Sequence, residues 1–147
     1  MKKKTIKKVK KLTKKELIKK LTKENKIMWS KIGRAKNNGM CCLCNKNKAQ
    51  NTHHWFVNAA RSLPLRFKEL NGLPLCYGCH IHVIHKDASV INAIELLNIA
   101  TRIFKMQKNK LLSKLYCLHA NEGHEYNFDD LVQDNKVLKE RMKELGL

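Results

Sequence analysis

No apolar run in this sequence approaches the roughly 20 residues that a bilayer-spanning helix needs. The Lys-rich N-terminus is not followed by the ~7–15-residue apolar stretch of a secretory signal either. Both absences predict a cytoplasmic chain. Acidic residues are scarce: 12 Asp and Glu stand against 31 Lys and Arg, a net charge of +19 over 147 residues. A positive field that large calls for a polyanionic partner, with nucleic acid first and an acidic membrane surface as the rival. The membrane reading is weakened because no aromatic residue precedes Trp29 to anchor the basic stretch among headgroups. No internal repeat is present. In a reducing compartment the six cysteines point to metal binding or catalysis instead of a disulfide framework.

A chain of this length is expected to form one domain with flanking arms. Composition divides it into three parts. Residues 1–36 carry sixteen Lys or Arg against two acids, Glu16 and Glu24. Ile6, Val9, Leu17, Ile18 and Leu21 recur at loosely helical spacing, so this part reads as a basic helix or a solvated arm. Trp29 and Ile32 are the expected first contact with the core. Residues 37–87 hold five of the six cysteines and five of the seven histidines. There Asn37-Asn38-Gly39 and Asn71-Gly72 are turn signals, His54-Trp55-Phe56-Val57 reads as a strand, and a helix runs from Cys79 to about Lys86-Asp87. Residues 88–147 look helical. Ile91, Ile94, Leu97, Ile103 and Phe104 suggest one amphipathic helix, which Leu111, Leu112 and Leu115 continue or follow. A last helix is capped by Asn127 or Asp129.

Two sequence signals carry chemistry. Cys41-x-x-Cys44 and Cys76-x-x-Cys79 are thiolate pairs 31 residues apart. Four sulfurs at such spacing enclose one Zn²⁺ tetrahedrally and leave no position for substrate, which makes the site structural. The expected role is to staple a core too small to hold itself. Cys42 lacks the two-residue spacer, and Cys117 reads as an ordinary thiol. Between and after the pairs, His53-His54, Asn71 and His80 follow in the pattern H-H-x16-N-x8-H. A neutral imidazole can take a proton from water near pH 7, and several imidazoles can share a divalent ion.

Over residues 40–86 this combination resembles the HNH, or ββα-metal, endonucleases. The resemblance implies an α+β fold: a small zinc-stapled ββα-metal core flanked by N-terminal and C-terminal helices. It implies hydrolysis of DNA phosphodiester bonds, with His54 as general base and Asn71 orienting it. His53 and His80 match the ligands of a catalytic Mg²⁺ or Mn²⁺ ion. Family members with a third histidine ligand carry it four residues after the first helical one, where this chain has Ile84. His85 lies about 140° round from His80 on an α-helix of 3.6 residues per turn. It reaches the ion only if the helix is distorted; otherwise His82 and His85 face solvent or DNA, the reading favoured here.

Trp29-Ser30, Arg61, the run Leu65-Arg66-Phe67, and Asn71 five residues before Cys76 are similar to the phage NinG/Rap recombination nucleases. That narrower resemblance implies branched substrates such as Holliday junctions or D-loops, a host-cytoplasmic location, and phage recombination or packaging proteins as partners. Arg61 and Arg66 then become phosphate contacts. Lys2, Lys3, Lys4, Lys7, Lys8, Lys10 and Lys11 supply sequence-independent affinity. A junction cutter benefits from symmetry, which leaves a homodimer open. The competing readings are a non-catalytic zinc module that binds nucleic acid and an accessory subunit of a phage DNA-processing complex.

Overall fold

A computed structural model describes residues 12–58, 60–86, 93–120 and 126–147. The basic run from Lys2 to Lys11 lies outside these residues. The chain is helix-rich with one small sheet, an α+β arrangement. Among the described residues no helix is long and apolar enough to cross a membrane.

The first helix, α1 (Lys14–Ala35), starts where Thr13 and Glu16 form a reciprocal cap. Glu16 Oε2 accepts from the Thr13 amide at 2.8 Å, and Thr13 Oγ1 accepts from the Glu16 amide at 3.3 Å. Two orphan amides are thereby satisfied. The face with Asn25, Trp29, Ile32 and Gly33 is buried, an i, i+4, i+7, i+8 stripe. Asn37, Asn38 and Gly39 then turn the chain with left-handed φ of 53°, 56° and 75°, the conformation that Asn and Gly tolerate. So the second half of the basic N-terminal segment is an integral helix.

Strand β1 (Asn51–His54) pairs antiparallel with β2 (Gly72–Leu75), with His53 opposite Leu73 and His54 opposite Gly72. The strand expected at residues 54–57 is displaced. His54 is the last residue of β1; beyond it the Trp55 amide donates to the Asn71 carbonyl at 3.2 Å, and the Asn71 side chain then holds Phe56 and Val57. The turn signal at Asn71-Gly72 falls at the junction of turn and strand: Asn71 ends a short 3₁₀ turn and Gly72 opens β2. The glycine answers a need for space. A Cβ at Gly72 would lie 2.9 Å from Thr52 Cγ2 and 3.0 Å from the Trp29 ring, and one at Gly33 would lie 2.3 Å from Thr52 Cγ2. These glycines let α1 approach the sheet closely enough for Thr52 Oγ1 to donate to the Ser30 carbonyl at 2.8 Å.

After β2 the backbone enters a π-helix (Cys79–Lys86). Helices α2 (Ala93–Phe104) and α3 (Lys108–Ala120) are separate, parted at Lys105 with φ of 50°. The last helix, α4 (Phe128–Glu144), is capped by Asn127 and Asp130. Two cores result. One gathers Leu65, Leu73 and Leu75 with Cys41, Cys42 and Cys76 under Ala100, Leu111 and Leu115. The other joins Trp29, Ile32 and Phe67 to Leu131 and Leu138. Between α1 and α4, buried Asn25 donates to the Leu131 carbonyl at 3.0 Å and accepts from Asn135 Nδ2 at 2.7 Å. Burial brings the Lys36 ammonium down to about 8. It donates to the Glu69 carbonyl at 2.6 Å and stands 4.6 Å over the Phe104 ring.

Candidate metal centres

Cys41 and Cys44 sit on a tight hairpin closed by the Met40–Lys48 bridge and by the Cys41 amide donating to the Asn47 carbonyl at 2.8 Å. Asn45 at φ 54° makes the turn. Cys76 directly follows β2 and Cys79 opens the π-helix. The four sulfurs all lie within 4.8 Å of one another, with Cys44 and Cys76 Sγ 3.9 Å apart. A disulfide would need about 2.05 Å. A tetrahedral zinc with ~2.3 Å bonds spaces its sulfurs by about 3.8 Å. The geometry and the all-sulfur donor set therefore fit Zn²⁺, and the four cysteines can hold that ion. Backbone amides of Lys46 and Asn47 pull the Cys44 thiol down to about 6, while burial and the neighbouring thiols push Cys79 up. Cys42 is buried beside the cage, with its thiol pushed up to about 12 by burial. Cys117 is exposed.

A second cluster stands just beyond. His53, His80 and His85 place ring nitrogens within 4.8 Å of one another, and His80 and His85 Nε2 are 3.2 Å apart. Two imidazole nitrogens on one ion at ~2.0–2.1 Å bonds are separated by roughly 2.9–3.4 Å in octahedral or tetrahedral arrangements. The expectation that His85 faces solvent or DNA is corrected by helix type. Residues five apart stack in the π-helix, whose hydrogen bonds run i to i+5, so His85 returns to the side of His80. His82 is exposed and outside the group. Among the described residues no carboxylate joins the trio. Burial lowers His53 to about 4 and, with His85 close by, lowers His80 too. Neutral imidazoles are the form that binds metal.

His54 stands outside the trio. Adjacent strand residues point to opposite faces. Thr52 and His54 face α1, and His53 faces the π-helix. The His54 ring stacks on Trp29 at 4.0 Å with 17° between planes. Its Nε2 lies 2.9 Å from the Arg66 carbonyl. A carbonyl only accepts, so Nε2 carries the proton and Nδ1 keeps the lone pair. Burial, with the Arg66 and Lys26 charges, holds this ring below the usual histidine value.

Asn71 is fully buried. Its Oδ1 accepts from the Phe56 and Val57 amides at 3.0 and 3.2 Å, and its Nδ2 donates to the Val57 carbonyl at 2.7 Å. It holds the loop after His54 and is closed to solvent. Arg61 is exposed, and Arg66 is half-buried beside His54. Lys26 and Thr22, which line the His54 cleft with Trp29, Arg66 and Phe67, were missed in the sequence. Their four-residue spacing on α1 was the available signal.

Fold and sites thus define a small α+β protein with a four-cysteine metal cage beside a three-histidine cluster. No family model, no curated protein and no solved structure matches the chain.

Proposed function

We propose that this chain is a metal-dependent endonuclease of the ββα-metal type that hydrolyses DNA phosphodiester bonds. The observation that carries the reading is the convergence of His53, His80 and His85, with the ring of the adjoining residue, His54, fixed on the other face of the strand by Trp29 and the Arg66 carbonyl. His54 Nδ1 takes the proton of the attacking water, because Nε2 is committed to the Arg66 carbonyl. Trp29 holds the ring by stacking, and Asn71 holds the loop that follows it. An ion held by the trio supplies Lewis-acid stabilisation of the phosphate and the departing oxygen. Three imidazoles suit Zn²⁺ or Ni²⁺ better than Mg²⁺, which prefers oxygen ligands. The donor chemistry therefore moves the expected ion away from Mg²⁺ or Mn²⁺. The zinc cage is structural and takes no part in the reaction. Branched recombination intermediates are the proposed substrates, on the resemblance of the Arg61–Cys79 segment alone.

A specific observation also favours a non-catalytic nucleic-acid-binding module or an accessory subunit. His54, stacked and hydrogen-bonded, has what a packing histidine needs. One experiment separates the readings: cleavage of supercoiled plasmid, linear duplex, single strand, fork and four-way junction with each divalent ion, comparing wild type with His54→Ala. The nuclease reading expects wild-type nicking that His54→Ala loses, with Ni²⁺ or Zn²⁺ effective at lower concentration than Mg²⁺. Equal inertness of both proteins with binding retained establishes the binding module, and cutting only with a partner protein establishes the accessory subunit.

A further inference from the structure

Two clefts on the far side of β1 from the histidine trio share residues and form one groove. The first, about 270 Å³, is lined by Thr22, Lys26, Trp29, His54, Arg66 and Phe67. The second, about 470 Å³, lies between Lys14, Ile18 and Thr22 of α1, Leu63 and Arg66 of the following loop, and Tyr126 and Phe128 at the start of α4. Thr22 and Arg66 belong to both. Lys14, Ile18, Thr22 and Lys26 are four residues apart and form one ridge of α1. At 1.5 Å per residue that ridge runs about 18 Å.

The groove has a consistent chemistry. A cation stands at each end, Lys14 and Lys26, and Arg66 lies at the waist. No carboxylate is among the lining residues of these two clefts; Asp130 and Asp134 line an adjoining cleft that meets the groove at Tyr126, whose hydroxyl donates to Asp134 Oδ2 at 2.7 Å. Half-buried Tyr126 and Phe128 stand at one end, and the His54 ring, backed by Trp29, at the other. Volumes of this size are those of small-molecule sites, roughly 300–1,000 Å³. Together they have room for a few linked nucleotides. Cations that track a backbone, with rings on which bases stack, are how single strands are bound without sequence preference.

We propose that this groove seats an unpaired nucleic-acid strand and delivers it to His54. The proposal rests on the nuclease reading only for the identity of the polyanion. It makes strandedness the selected property: one unpaired strand enters, and the paired region stays outside.

The test compares two variants of equal charge loss in the full chain. Lys14→Ala/Lys26→Ala empties both ends of the groove, and Lys19→Ala/Lys23→Ala removes two exposed α1 lysines that do not line it. Binding of a labelled 16-nucleotide single strand and of its duplex is followed across a salt series with no divalent ion added. The groove variant is expected to bind the single strand about tenfold more weakly at moderate salt, with the log–log salt slope reduced by about 1.4 for two lost phosphate contacts. The control is expected to keep the wild-type slope. Equal losses in both variants overturn the proposal, as does a groove variant that weakens duplex and single strand alike. Nicking by wild type and His54→Ala is scored separately. Intact nicking without a groove effect refutes the groove alone, and intact strand binding without nicking refutes the nuclease alone.

Discussion

The sulfur cluster and the imidazole cluster are chain neighbours with opposite designs. Cys41 and Cys76 are buried, Cys44 and Cys79 half-buried, and the four sulfurs come from a hairpin and from the segment that leads from β2 into the π-helix. His53 and His80 are half-buried, His85 is exposed, and two of the three sit on a π-helix. A closed cage of four like donors has no position for another ligand. Three imidazoles at a surface are fewer donors in a more open place. The difference teaches that donor count and exposure separate a closed cage from an open cluster, even when Cys79 and His80 are consecutive.

The largest way to break the contrast is at the cage. Cys76→Ser should abolish cooperative unfolding and lose the tightly held zinc, because metal binding of such sites contributes about 10–16 kcal/mol to folding. Circular dichroism melts and metal analysis after dialysis read this directly; a normal melt without zinc would refute the staple. The imidazole side should behave in the reverse manner. His54→Ala should lower nicking by about 10²–10⁴-fold while keeping fold, cage zinc and the ion of the trio. His85→Ala should keep the fold and lose that second ion, scored by titration of Ni²⁺. A wild-type Ni²⁺ affinity in His85→Ala would remove His85 from the site.

A third contrast is with pH. Burial holds the native His53 near about 4, below the ordinary value of 6.5. The unfolded chain therefore takes up protons first as pH falls below about 6.5, and stability drains away down to about 4. The loss should reach about 2–3 kcal/mol. Urea midpoints of wild type and His53→Gln isolate it from the cage, since thiolate protonation affects both; parallel pH profiles would contradict the burial. The smallest effect is at the helix–sheet contact. Gly33→Ala drives a methyl into Thr52 and should cost about 1–3 kcal/mol. Cage zinc should stay, while nicking falls as α1 and Trp29 shift away from His54. An unchanged thermal midpoint would mean that Thr52 yields freely.

The cysteine spacing was legible because two-residue spacers leave few geometries for a hairpin and a helix start. The ends of α1 and α4 were legible in part: Asn127 caps α4 as expected, while the Thr13–Glu16 cap went unread. The histidine trio was hidden by an assumption about pitch. Counting 3.6 residues per turn turns His85 away, and nothing local in Cys79–Lys86 announces i to i+5 bonding. His54 was misplaced for an equally simple reason: strand alternation separates it from His53, and the reading of 54–57 as the strand obscured that rule. Neither the fit of Gly33 and Gly72 around Thr52 nor the lone turn at Lys105 could be read, since both depend on partners far along the chain.

The direct link from Cys79 to His80 has a further consequence. Cys79 supplies the last sulfur of the cage and is also the first residue of the π-helix, so the position of His80 is tied to that of the cage. A chain whose thiolates held no ion would then lose the anchor that sets the spacing of its imidazoles.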